Sequence, residues 1–324
     1  MLTPQEINSR IETALAELPY PEAPDGLYNP IEYALESGGK RLRPTLLLMA
    51  YGLYADDISK AMPAAVGIET YHNHTLLHDD LMDRAELRRG RPAVRCKWDD
   101  NTAILSGDTM LILAFRHVLS CRCRQQDALS DLFAQTAQEV CEGQQYDMNF
   151  ERRSDVSIPE YVKMIRLKTA VLLACAAKMG ALIADAPVAD ADALYAFAER
   201  VGLAFQLQDD YLDVYGDPAV FGKKTGGDIL TGKKTFLLLT AREKADSVTR
   251  QRLDAILADQ KMPAAEKIAA VTAIYDAIGV GSITQEAIEH FYADARQTLG
   301  RVGLPSERLK PLWDYTETLL GRKK

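Results

Sequence analysis

The chain has little cysteine, no cationic excess and no long apolar run, and each shortage removes a class of function. Its five cysteines are an odd number, and Cys121-Arg122-Cys123 has no second pair at zinc-ligand spacing. Neither a disulfide framework nor a zinc site is therefore expected, and a reducing, cytoplasmic setting is. Lys and Arg number 38 against 46 Asp and Glu, a net charge of −8. A nucleic-acid surface or an anionic membrane is repelled on average by that balance, and no nucleic-acid partner is expected. Residues 1–18 carry Glu6, Arg10, Glu12 and Glu17 among their apolar positions, which breaks the continuous apolar core of a secretory signal. The most apolar later stretch, residues 171–184, is interrupted by Lys178 and is too short to span a bilayer. It reads as a buried helix, and no transmembrane segment is expected. No Ser/His/Asp or Cys/His arrangement is recognisable, so the chemistry does not call for a protein nucleophile.

Sustained period-two alternation is also missing. Apolar residues recur instead at three- and four-residue spacing, and 47% of the chain is hydrophobic, enough for a large core. The class is all-α. Long, largely apolar helices are expected over 59–82, 101–118, 157–183 and 190–215, and helices apolar on most sides belong at the centre of a bundle. The breaks are a Pro-rich connector at 19–30, a polar loop at 152–159, a Gly/Lys-rich loop at 216–232 and a turn at Met262 and Pro263. None is long enough to be an interdomain linker, so one domain over 1–324 is expected.

Two stretches echo one another: Leu76-Leu77-His78-Asp79-Asp80-Leu81-Met82-Asp83 and Phe205-Gln206-Leu207-Gln208-Asp209-Asp210-Tyr211-Leu212-Asp213. On a helix, the first and last aspartates of each cluster lie one turn apart on one face, with the middle one beside them. Like charges at that spacing destabilise a helix by roughly 0.2–0.5 kcal/mol per pair, so a cation relieves the cost. Carboxylate oxygens without His or Cys favour magnesium, calcium or manganese over zinc. A single such cluster is usually a solvated helix end, but two matching clusters on apolar helices are not. The pair Asp99-Asp100 serves as a control, because Asn101-Thr102 follows it at a helix start, where capping accounts for it.

Basic residues stand next to the acids. Ser37-Gly38-Gly39-Lys40-Arg41-Leu42-Arg43-Pro44 joins a glycine pair to three cations, Arg88-Arg89-Gly90-Arg91 follows the first cluster, and Gly222-Lys223 and Gly232-Lys233-Lys234 follow the second. Glycines let backbone amides approach an anion, arginine supplies bidentate forks and lysine supplies point charges, so the pattern points to phosphate chemistry.

In order and spacing, Gly38 to Pro44, Asp79-Asp80-x-x-Asp83 with Arg88-Arg89-Gly90, Lys168-Thr169, Phe205-Gln206-x-Gln208-Asp209-Asp210-x-x-Asp213, Lys223 and Lys233 resemble the trans-isoprenyl diphosphate synthases of short-chain type. The match is close over 37–234, and beyond Ala241 only the helical pattern agrees. The resemblance implies an isoprenoid-synthase bundle around a central apolar cavity, working as a homodimer. It further implies condensation of isopentenyl diphosphate with an allylic primer (dimethylallyl, geranyl or farnesyl diphosphate). By the same resemblance, Asp79, Asp80, Asp83 and Asp209, supported by Asp210 and Asp213, hold three Mg²⁺ ions, with Mn²⁺ as an alternative, against the allylic diphosphate. Arg88, Lys168, Lys223 and Lys233 contact that diphosphate, while Lys40, Arg43, His72 and Arg89 hold that of isopentenyl diphosphate. Thr169 and Gln206 turn oxygen dipoles toward the developing carbocation.

Chain length follows from the helix before Asp79. One turn rises about 5.4 Å, close to one isoprene unit, so Thr75, His74 and Tyr71 act as a ruler. In the family a small residue at the position of His74 accompanies long products and an aromatic accompanies short ones, so products of fifteen to twenty carbons are expected. The alternative is that His74 packs against a neighbouring helix. The rival activities are a longer-chain synthase, a terpene cyclase or head-to-head synthase, and a non-catalytic partner subunit. Lys40, Arg43 and Arg89, which serve a second diphosphate, argue against the cyclase, and intact acid clusters with Lys168 argue against the silent subunit.

Overall fold

The computed structural model describes residues 2–217 and 225–320; Lys223 and the basic end Arg322-Lys323-Lys324 lie outside them. Helices dominate, as expected: α1 Pro4–Ala16, α2 Asp25–Leu35, α3 Leu42–Gly52, α4 Met62–Met82, α5 Val94–Lys97, α6 Asp100–Ser120, α7 Gln126–Glu151, α8 Ile158–Ile165, α9 Val171–Ile183 and α10 Val188–Tyr215. After these come α11 Gly227–Thr231, α12 Phe236–Lys244, α13 Ser247–Ala258, α14 Ala264–Ile278, α15 Val280–Leu299 and α16 Ser306–Leu320. Local chemistry sets several starts. Thr3 with Glu6 and Ser157 with Glu160 form capping boxes, each followed by proline in the first turn. Asp99 accepts the amide of Thr102 at 2.8 Å, so the control pair does mark a helix start.

Four local expectations give way. The connector at 19–30 ends early, because α2 begins at Asp25 and carries Pro30 in its interior, where the missing N–H costs only one bond. The loop at 216–232 contains α11, a single turn between left-handed Gly226 and Gly232. Leu87–Arg88 and Arg91–Pro92 form a two-stranded hairpin, too short to leave an alternation in the sequence. Its turn residues Arg89 and Gly90 have φ of 52° and 76°, as a type I′ turn requires. Finally, the helix expected over 157–183 is interrupted by a π turn at Arg166–Ala170.

The chain forms two compact units, Met1–Ala134 with Cys175–Tyr195, and Gln135–Ala174 with Ala196–Lys324. In the first, α4 lies along α6 and touches α3. Gly67 permits the contact with α6, since a Cβ there would meet Val118 Cγ2 at 2.8 Å and Ala114 O at 2.9 Å. Residues 44–52 of α3 are buried throughout. In the second unit, Phe150, Tyr161, Leu203, Leu207 and Phe236 build one core cluster and Leu237, Leu253, Val271 and Tyr275 another.

Candidate active site

The first acid cluster closes α4, with Asp83 as its C-cap. Asp80 is 5% exposed and is held by Arg88, whose Nε lies 2.9 and 3.0 Å from its two carboxylate oxygens while Nη2 also donates to Oδ1. The same guanidinium approaches Asp79 Oδ2 at 3.8 Å. The hairpin delivers Arg88 to this position, and burial works against its charge. Hydrogen bonding and attraction from Asp80, then Asp79 and Asp83, nevertheless raise its pKa. Three carboxylates on one helix end thus retain one arginine as a resident counterion.

The cations of the glycine loop divide by role. Arg41, in the left-handed region at φ 47°, turns inward: Nε bonds Glu12 at 2.7 Å, Nη1 bonds buried Glu69 at 2.8 Å and Nη2 bonds Leu35 O at 2.7 Å. It is a structural tie, so only two of the run's three cations are left for phosphate. Lys40 is exposed on the loop. Arg43 Nη1 lies 3.1 Å from His72 Nε2; a guanidinium only donates, so Nε2 accepts and the ring carries its proton on Nδ1. Burial, then Arg43, Arg89, Arg88 and Arg41, push the pKa of His72 well below its ordinary value, so the ring is neutral. Burial lowers Arg43 to about 10, with Arg89 adding to the effect and Glu69 opposing it. Its buried Nε has no hydrogen-bond partner among the described residues. Arg89 lies flat on Gly39, where a Cβ would sit 2.8 Å from its guanidinium carbon, and donates to Ser37 Oγ at 3.2 Å. Arg43 on α3, His72 on α4 and Arg89 on the hairpin therefore form one basic patch, and Lys40 stands beside it on the glycine loop.

Tyr71, His74 and Thr75, expected to act as a ruler, stand on α4 before the acid cluster. Tyr71, 1% exposed, meets Phe133 edge-on at 5.5 Å. His74 Nδ1 lies 2.9 Å from Gly107 O on α6, and its ring stacks edge-on with His78 at 4.6 Å. Burial and then His78 bring His74 down to about 4, so the ring is neutral. Thr75 is half-buried and donates to His72 O at 2.8 Å.

In the second unit, the other cluster lies near the end of α10. Asp210 is 3% exposed, accepts from the Tyr161 hydroxyl and from Gln206 Nε2 at 3.2 Å, and is raised to about 6 by burial, with Asp228 adding to the effect and Lys233 opposing it. Asp213 Oδ2 accepts the backbone amide of Asp228 at 3.0 Å, which ties α11 to α10. Asp209, which precedes Asp210 and lies one turn before Asp213, is half-buried. Thr169 Oγ1 donates to Gln206 Oε1 at 3.3 Å, so the two dipolar residues do meet. Lys168 pairs with Asp147 at 2.6 Å, and Lys233 approaches Asp228 at 3.7 Å. Asp147, Tyr161 and Asp228 carry no spacing signal in the sequence. Their place in the site comes from three separate elements folding around Lys168, Asp210 and Lys233.

Among the described residues, no three His, Cys, Asp or Glu side chains converge as a ready metal cage. What stands there is oxygen chemistry, with a few carboxylates at each helix end and cations close by. That donor set fits a hard divalent ion that takes few protein ligands and completes its shell with phosphate oxygens and water.

The family model described as polyprenyl synthetase matches residues 24–276. A geranylgeranyl diphosphate synthase of Methanosarcina mazei is 41% identical over 73% of this chain and 74% of its own length. The crystal structure of a geranylgeranyl pyrophosphate synthase superposes with a TM-score of 0.95 at 42% identity, covering 100% of both chains. A polyprenyl synthase of Caulobacter crescentus, solved in complex with calcium and isoprenyl diphosphate, gives a TM-score of 0.84 at 26% identity, over 99% of this chain and 95% of its own.

Proposed function

This chain belongs to the polyprenyl synthetase family, and from that premise we infer a trans-prenyltransferase that condenses isopentenyl diphosphate with allylic diphosphates to products of fifteen to twenty carbons. One observation favours a condensing enzyme over an ionising cyclase. Burial disfavours the charge of Arg43, with Arg89 adding to the effect, and burial disfavours that of Arg89, with Arg41 and Arg88 adding to it, so beside a neutral His72 an anion in contact with the two arginines relieves the cost. That patch, with Lys40, is the seat for the diphosphate of isopentenyl diphosphate. A cyclase has no second diphosphate to seat.

Asp79, Asp80, Asp83 and Asp209, with Asp210 and Asp213 behind them, would hold Mg²⁺, three ions in the full complement. The ions would supply positive charge to the diphosphate oxygens as the allylic carbon–oxygen bond breaks. Arg88, Lys168 and Lys233, together with Lys223 outside the described residues, would add positive charge to the same leaving group, which stabilises the transition state more than the ground state. Thr169 and Gln206 place oxygen dipoles toward the allylic cation. The double bond of isopentenyl diphosphate then attacks it, and released diphosphate accepts the proton. Asp80 and Asp210 are the most buried members of their clusters, and for Asp210 that burial suits a supporting place behind Asp209.

The chain works as one polyprenyl synthetase domain and as a homodimer. Leu105, Ile112 and Leu119 support the dimer, standing 60%, 61% and 44% exposed at seven-residue spacing along α6. Among the described residues this helix is also long and apolar enough to cross a membrane. Asp108 and Arg116 on it, and its buried face against α4, suit a protein interface better. All five cysteines are free thiols, in keeping with a cytoplasmic location.

His74, one turn and more before Asp79 on α4, is the residue proposed to set product length. His74→Ala is expected to move the main product past twenty carbons, read by chromatographic sizing of dephosphorylated products. An unchanged distribution would assign His74 to packing against α6 alone.

A further inference from the structure

The π turn at Arg166–Ala170 is gripped from two sides. A π turn carries one residue more than the α-helix around it, which rotates everything beyond it by about 100° relative to an uninterrupted helix. Such a turn lasts only where the surroundings hold it. Here α7 presents Glu139, Gly143 and Asp147 at four-residue intervals, one stripe along one face. α10 presents Glu199, Gly202 and Gln206, again one stripe.

At the centre of each stripe the backbones come too close for a side chain. A Cβ at Gly143 would run into the amide nitrogen of Lys168, 2.6 Å from Leu167 C and 2.7 Å from Lys168 Cα. A Cβ at Gly202 would sit 2.7 Å from Ala170 Cα. Above and below the glycines, polar groups tie down the turn's own side chains. Arg166 bonds Glu199 at 2.7 Å and approaches Glu139 at 3.7 Å. Lys168 reaches Asp147 at 2.6 Å on α7, and Thr169 reaches Gln206 at 3.3 Å on α10. Two consecutive residues are thereby sent to two different helices.

We propose that Gly143 and Gly202 are positioning residues for the condensation: their bare backbones hold the π register that aims Lys168 and Thr169. The proposal rests on the roles given to Lys168 and Thr169 above. An added methyl at Gly143 meets backbone, which cannot swing aside as a flexible side chain does, so the turn must shift or lose its extra residue. Either response moves Lys168. The seat for isopentenyl diphosphate, built on the other unit, stays as it is.

The test compares Gly143→Ala with Gly180→Ala. Gly180 is an equally tight glycine in the other unit, where a Cβ would run into Leu47 O and lie 2.8 Å from Tyr51 N. Gly143→Ala is expected to lower kcat about 100-fold, the scale of an ångström's misplacement. Its KM for isopentenyl diphosphate should be unchanged, and amide-exchange protection should fall at residues 166–171. Gly180→Ala is expected to lower the melting temperature and leave kcat of the folded enzyme intact. If Gly143→Ala does not fold, Arg166→Met unties the turn with both glycine contacts kept. It should lower kcat about tenfold, the scale of a charge-assisted hydrogen bond, and Arg166→Lys should restore it. Wild-type kcat and exchange in Gly143→Ala, or equal kcat losses at Gly143 and Gly180, would overturn the proposal. The exchange readout needs no catalysis, so a wild type that forms no prenyl product would count against the function while leaving the grip testable.

Discussion

Asp79→Asn and Asp209→Asn should each lower kcat by about 10³-fold, because each removes a carboxylate charge from the set proposed to hold the ions on the leaving diphosphate. The amide keeps the shape of the side chain and a carbonyl oxygen, so loss of negative charge is the main change. Diphosphate departure depends on charge stabilisation that grows as the bond breaks, and the effect therefore falls on kcat. Steady-state assays with geranyl diphosphate and labelled isopentenyl diphosphate separate the parameters: KM for isopentenyl diphosphate, whose proposed seat is Lys40, Arg43 and Arg89, should move little. Asp99→Asn is the matched control. Asp99 caps α6 through Thr102, and asparagine caps nearly as well, so kcat should stay at the wild-type value. Rates within tenfold of wild type in both cluster variants would remove the aspartates from the ion-holding role.

Arg41→Met should destabilise the fold by about 3–5 kcal/mol, the cost of stranding one member of a buried ion pair. Arg41 and Glu69 have side chains 1% and 2% exposed and meet at 2.8 Å, and Asn73 adds a hydrogen bond to the same Glu69 oxygen at 3.2 Å. Without the guanidinium, buried Glu69 loses its ion-pair partner and, among the described residues, retains the Asn73 amide, while Glu12, half-exposed, can turn to water. Urea unfolding of the two proteins measures the difference, and the double variant Arg41→Met with Glu69→Leu should recover much of it. A single variant as stable as wild type would show that Glu69 does not depend on Arg41. Arg43, two residues on, should behave in the opposite way: Arg43→Met relieves a buried, partly unsatisfied cation, so substrate binding suffers more than stability.

The contrast between those two arginines shows where sequence reading stops. In Lys40-Arg41-Leu42-Arg43 the three cations are equivalent by composition, and only the left-handed turn at Arg41 sends one of them inward. Helical periodicity does reveal the all-α class, and the repeated aspartate spacing picks out the ends of α4 and α10, because both are properties of single helices. The hairpin carrying Arg88 and Arg89 is different. Two-residue strands are shorter than any alternation that could announce them. Nor does periodicity reveal the π turn, since one inserted residue blurs an apolar stripe without breaking it. Asp147 matters through a tertiary contact with Lys168, and its own neighbours on α7 give no hint of that.

The central claim is that carboxylate-held divalent ions drive departure of the allylic diphosphate. Its most direct measurement is transfer of radiolabel from isopentenyl diphosphate into solvent-extractable product with geranyl diphosphate, before and after EDTA, and again after excess Mg²⁺. The label should move into fifteen- and twenty-carbon products, stop with EDTA and return with Mg²⁺. Undiminished product formation by the chelated enzyme would contradict the account.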